Sequence, residues 1–158
     1  MKKGVLPLSQ GDYDKLCSEV QKNPETFWAE RAKAFEWIKP FEHVLSGDPP
    51  YERWFEGGVT NITLNALDRH VKAGLSDTTA YIFLDEQGNE RTYTYGELLD
   101  AVGRFGAGLK GLGVQKGDRV CIYMPMVPEA FVAILACARI GAVHKPCEFG
   151  TRMSHLSR

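Results

Sequence analysis

Few residues in this 158-residue chain have types and spacing suited to chemistry, and each has a competing structural use. Gly106-Ala107-Gly108-Leu109-Lys110-Gly111 spells GxGxxG, the string whose backbone N–H groups and following helix N-terminus hold a dinucleotide pyrophosphate. That chemistry requires the string directly after a strand and at the start of a helix. Here the pattern places it at the far end of a helix and ahead of a strand, where a phosphate meets the negative end of the dipole. The expected role is structural. The glycines let the helix lie close on the sheet, although each costs about 1 kcal/mol relative to alanine. Cys137, His144 and Cys147 are metal-ligand types, but their spacing matches no zinc pattern and Cys137 falls in an apolar helix. A structural thiol and a strand-edge histidine are expected. His43, His70 and His155 have no partner motif. Glu129 follows Pro128, where the first turn of a helix favours a carboxylate without any acid–base duty. The sequence holds no GxSxG elbow, HExxH, Walker-A lysine loop or paired-carboxylate motif. Trp37, Trp54 and Phe55 are large enough to contact a ligand, with packing as the expected use. No catalytic and no metal-ligating residue is assigned.

The elements that would position such groups follow from periodicity. Residues 9–23 read as a short helix. A second, over 23–38, has Asn23 as N-cap, Pro24 at the first position and Glu25 in the first turn. Phe27, Trp28, Ala32, Phe35 and Ile38 give it one apolar face. Residues 39–61 carry Pro40, Gly47, Pro49, Pro50, Gly57 and Gly58 together with Trp54 and Phe55, which predicts an ordered loop packed across a surface. Residues 61–72 predict a third helix with Ile62, Leu64, Leu67 and Val71 inward. The composition then switches. Residues 80–85 and the run from Glu90 predict a hairpin with a loop of about four residues. Its second strand runs into a Thr94-x-x-Glu97 capping box that opens a helix with Leu98, Val102, Phe105 and Leu109 inward and Gly113 at its stop. A turn at Lys116-Gly117-Asp118, an apolar strand from Val120 to Met124, an apolar helix from Pro128 to Ile140 and a new strand near Val143 complete a pattern typical of a parallel α/β interior.

Composition bounds the rest. With 44% hydrophobic and 25% charged residues and a formal net charge of −1, the chain is globular in type, with no electrostatic case for nucleic acid or an anionic membrane. No apolar run approaches the ~20 residues that span a bilayer, and the N-terminus lacks a signal-peptide core. A cytoplasmic protein is expected. Cys17, Cys121, Cys137 and Cys147 show no CxxC spacing. Cys121 and Cys137, lying in apolar runs, are expected to behave as small hydrophobes.

Four strings then carry a family resemblance: WFEGGVTNITLNALDRHV, RTYTYGEL, LGVQKGDRVCIYMPMVPE and AILACARIGAVH. Together they resemble the N-terminal part of the AMP-forming acyl-CoA synthetases, nearest to the acetyl-/propionyl-CoA synthetase branch, over residues 10–144. The resemblance implies an α/β fold: a helical extension over 1–75, the start of a large adenylate-forming domain over 76–144 (a hairpin, then a parallel βαβ unit, incomplete), and a divergent tail over 145–158. It implies that the full-length enzyme uses ATP, Mg2+ and CoA to turn acetate or propionate into an acyl-adenylate and then a thioester. It implies no bound cofactor for these residues alone, since the family's phosphate-gripping loop, acyl pocket and catalytic lysine come later in the chain.

After GAVH the family continues S-V-V-F-G-G-F. This sequence reads Lys145-Pro146-Cys147-Glu148-Phe149-Gly150-Thr151, where Pro146 removes a ladder donor and Glu148 brings a charge to a strand position. Phe149 and Gly150 match the family's CoA-holding F-G-G turn if one residue is inserted, so they are carried over as cofactor-binding candidates. The loss of strand pattern at Lys145 favours an N-terminal fragment of an acetyl-CoA-synthetase-like ligase, inactive alone. The alternative is a non-catalytic module that binds or complements a full-length synthetase, its partner covering an unpaired sheet edge.

Overall fold

The computed structural model describes residues 9–147. They divide along the chain into two compact units, with the boundary between Thr60 and Asn61.

In the first unit, α1 (Gln10–Lys22) starts at Ser9, whose side chain accepts from the Asp12 amide. Asn23 ends it and caps α2 (Pro24–Ala32) by accepting from the Thr26 amide. Helix α2 stops at Ala32 instead of continuing to Ile38, because the chain turns away to pair with Val59. The Ile38 and Lys39 amides both donate to the Val59 carbonyl, and the indole N–H of Trp37 takes the Ala32 carbonyl at 3.0 Å. Phe35 and Ile38 are consequently exposed rather than inward. The stretch expected to be a loop contains an antiparallel hairpin, β1 (His43–Ser46) with β2 (Arg53–Glu56), paired Leu45 to Trp54. Trp37, Phe41 and Phe55 cluster with ring centroids 5.1 to 5.6 Å apart. Gly58 permits that cluster, since a Cβ there would lie 2.7 Å from the Trp37 ring.

The second unit opens on a π-helical segment (Leu64–Asp68) that runs into α3 (Arg69–Lys72). Leu67 is buried as expected, while Ile62 points to solvent at 68% exposure. Strands β3 (Thr79–Leu84) and β4 (Glu90–Thr94) form the expected hairpin. Helix α4 (Tyr95–Gly111) follows from a complete capping box, in which Thr94 accepts from the Glu97 amide and the Glu97 carboxylate accepts from the Thr94 amide. Strand β5 (Arg119–Tyr123), helix α5 (Pro128–Ile140) and strand β6 (Val143–Cys147) make a parallel βαβ unit. Leu67, Leu98, Val102, Val132 and Ala136 form one core cluster, and Ile122, Ala133, Cys137 and Ala142 another. Phe105, expected inside, is exposed.

Two readings change in this unit. Strand β6 does not fail at Lys145 but continues through Pro146, which pairs opposite Ile122. The Val143 amide donates to Asp118 on the β5 side, and backbone direction alternates along a strand. Pro146 therefore has its missing N–H on the side away from β5, where it costs this ladder nothing. The GxGxxG string lies in the last turns of α4, and only Gly106 makes a close approach. It faces α5 rather than the sheet, with a Cβ there 3.3 Å from Ile140.

Candidate functional site

In parallel sheets ligands gather beyond the C-terminal ends of the strands. The connection from β5 to α5, Met124 to Val127, lies at that end, beside a groove of about 500 Å3. Its walls are Ile122, Met124, Val127, Phe131, Ile134 and Pro146, with the Tyr81 ring stacked on Phe131 at 4.8 Å. The lining is mostly apolar, Glu86 is its one charged side chain, Cys147 also reaches it, and no cationic side chain contributes.

The charged groups near the start of α5 stand outside this lining. Glu129 and Arg91 pair at 3.0 Å, and Arg91 donates to the Tyr93 hydroxyl at 2.9 Å. The backbone amide at its own position in the first turn holds the Glu129 carboxyl below its usual range, and Arg91 adds to this. This is the helix-terminus preference expected from the sequence. Half-exposed on both sides, the pair fastens β4 to α5 and presents no free acid or base.

A more deeply held network fixes the other end of α5. Gly141 adopts a left-handed φ of 78°. The Ala142 amide donates to Cys137 and the Gly141 amide to Ala138, the paired bonds of a Schellman cap. Asn61 then donates through its amide to the carbonyls of Ala138 and Arg139, at 2.9 and 3.2 Å, in the last turn of the helix. Its Oδ1 accepts from both the amide and the hydroxyl of Thr63, which is 1% exposed. Arg139 meets Asp68 through two parallel bonds of 2.7 and 3.0 Å and also reaches Thr63. Hydrogen bonding from Arg139 holds the Asp68 carboxyl below its ordinary value, and the same bonds push Arg139 up. The NITLNALDRH string is thus a clamp on α5. No local pattern announces it, because its partners lie more than seventy positions away.

Phe149 and Gly150 lie outside the described residues, as does His155. Cys137 is buried, and His144 sits half-buried on β6. Among the described residues no three His, Cys, Asp or Glu side chains come together as a metal site. His70 stacks on Tyr95 at 4.6 Å. Cys121 is exposed, contrary to its expected burial, because its register position faces away from the side on which Ile122 packs. Its sulfur lies 3.3 Å from that of Cys147. Ending β6 early hid this pair. Carrying the alternation through Pro146 would have put both cysteines on one face. ATP, Mg2+ and CoA, implied by the resemblance, find no fitting set here. The glycines close a helix instead of opening one, and this groove offers apolar walls without cations, so neither forms a phosphate cradle. No helix among the described residues is long and apolar enough to cross a membrane.

Comparison with known proteins agrees with this geometry. Residues 13–66 match the acetyl-coenzyme A synthetase N-terminus family, and residues 67–157 match the family described as AMP-binding enzyme. An acetyl-coenzyme A synthetase of Deinococcus radiodurans is 46% identical over 150 residues, which cover 95% of this chain and 23% of that protein. One of Rubrobacter xylanophilus is 50% identical over 130 residues, 82% of this chain and 20% of the relative. The solved acetoacetyl-CoA synthetase from Streptomyces lividans superposes with a TM-score of 0.77 at 29% identity, over 93% of this chain and 23% of its own. The chain therefore spans less than a quarter of each of these proteins. The clamp, the capping box and the whole βαβ unit lie inside or at the edge of the longer match, which takes in more than half of the residues; the chain belongs to the AMP-binding enzyme family.

Proposed function

We propose that this chain forms the leading part of an AMP-forming ligase that joins acetate or propionate to CoA, with ATP converted to AMP and pyrophosphate by way of an acyl-adenylate. The observation that carries the reading is the unbroken succession of an acetyl-coenzyme A synthetase N-terminal match and an AMP-binding match along one chain. The share of the work assigned to these residues is scaffolding. The clamped α5 and the β5–β6 pair present strand ends toward which the rest of the domain brings its reacting groups. Activity is expected from the whole protein and not from these residues alone, which span less than a quarter of the synthetases they resemble. Phe149 and Gly150 belong to the same reading as contacts to the CoA nucleotide. A cytoplasmic setting goes with it.

The test is a graft. Residues 1–147 replace the matching leading segment of the Deinococcus radiodurans relative, and acetate-dependent thioester formation is measured. A soluble graft that makes acetyl-CoA supports the reading. One that is folded by circular dichroism yet inactive contradicts it.

A further inference from the structure

Cys121 and Cys147 are a pair of thiols to which the reading above gives no role. They reach each other through the register of the parallel pair. Cys121 lies opposite Lys145 and Tyr123 opposite Cys147, so positions 121, 123, 145 and 147 share one face of the two strands. That face is turned from the side on which Ile122 is buried, and Cys121 is exposed on it while Cys147 is half-buried. The sulfurs stand 3.3 Å apart, already in hydrogen-bond contact. A disulfide needs about 2.05 Å, leaving about 1.2 Å of closure.

We infer that Cys121 and Cys147 form a built thiol pair that takes up a two-electron oxidation by a peroxide and closes as a disulfide between β5 and β6. One sulfur, as its thiolate, attacks a peroxide oxygen. An S–O bond forms and the O–O bond breaks, giving a sulfenic acid and hydroxide. The second sulfur attacks the first, the S–S bond forms, and the S–O bond breaks as hydroxide leaves. The two thiol protons go to the two hydroxides. Two thiols and one hydrogen peroxide give one disulfide and two waters, with sulfur oxidised and peroxide oxygen reduced. The surroundings suit the sequence of events. Hydrogen bonding to Cys147 pushes the Cys121 thiol up, and the Lys145 cation across the register acts in the opposite sense, toward anionic sulfur. Cys137, at 0% exposure and with burial pushing its thiol up, is shielded from the same reagent.

The experiment treats the full 158-residue chain with hydrogen peroxide, blocks remaining thiols, and maps tryptic peptides without reduction. The expected product is a monomer in which peptide 120–139 is linked to peptide 140–152 with the loss of two hydrogens, reversed by dithiothreitol. Titratable thiols should fall from four to two. Because peptide 120–139 also contains Cys137, the link should persist in Cys137→Ser and vanish in Cys121→Ser and in Cys147→Ser. In denaturing urea the preference for this pair should disappear. A link that survives Cys121→Ser, a link found only between two chains, or oxidation of the cysteines to sulfinic or sulfonic acids without any linked peptide would overturn the proposal.

Discussion

In residues 9–60 the large aromatic side chains meet one another near the surface, whereas in residues 61–147 aliphatic side chains are buried between α4 and α5. Ala32 is the one buried residue described in the first unit, and Trp28, Phe35, Tyr51 and Trp54 are all exposed. The second unit buries Leu67, Leu98, Val102, Val132, Ala136, Cys137 and others, and ties α5 down at both ends. Aromatic pairs contribute about 0.5–1.5 kcal/mol each beyond the area they cover. A fully buried aliphatic side chain contributes about 1.5–3 kcal/mol. The second unit is therefore the stable scaffold of the pair and the first the weaker element, although both carry family strings. All three tryptophans lie in the first unit, so tryptophan emission reads it separately, and amide exchange in α4 and α5 reads the second. Emission should lose its native value at lower urea than those amides lose protection; the reverse order would break the contrast.

Substitutions sharpen it. The largest effect is expected from Leu98→Ala, which empties the centre of the first core cluster and should cost about 3 kcal/mol, read as faster exchange across α4 and α5. Trp37→Ala should cost about 2 kcal/mol, less than a fully buried tryptophan, with Trp28 and Trp54 left as reporters. Should it exceed Leu98→Ala, the aromatic cluster would have to be counted as a true core. Asp68→Asn removes the charged partner of Arg139 and should cost about 1.5 kcal/mol at pH 7. Its pH dependence has a definite sign. Arg139 holds the folded carboxyl below its ordinary value of 3.8, so this contribution is complete above that value and fades as pH falls from there through the folded one. Urea midpoints of the wild type and Asp68→Asn should converge in that acid window and differ by a constant amount above it. The smallest effect belongs to Arg91→Ala. With both partners half-exposed, its loss should stay within about 0.5 kcal/mol.

Legibility in the sequence followed distance along the chain. The Thr94–Glu97 box and the Asn23 cap were readable because each is settled by residues within a turn of one another. The β1–β2 hairpin was not, since two four-residue strands among prolines and glycines are too short to show alternation. The early end of α2 depends on Val59, and the role of NITLNALDRH on Arg139, neither of which a local pattern can reach. Pro146 looked like a strand breaker because which edge its missing N–H faces is fixed by the partner strand. That misreading also concealed the thiol pair.

Under the proposed function these residues scaffold acyl activation without carrying it out. Acetate-dependent exchange of labelled pyrophosphate into ATP tests it most directly, measured side by side on the purified 158-residue chain and on the graft of residues 1–147 into the Deinococcus radiodurans relative. No exchange above background by the chain, with exchange by the graft, is the predicted result; exchange by the chain alone, or a folded graft that exchanges nothing, would contradict it.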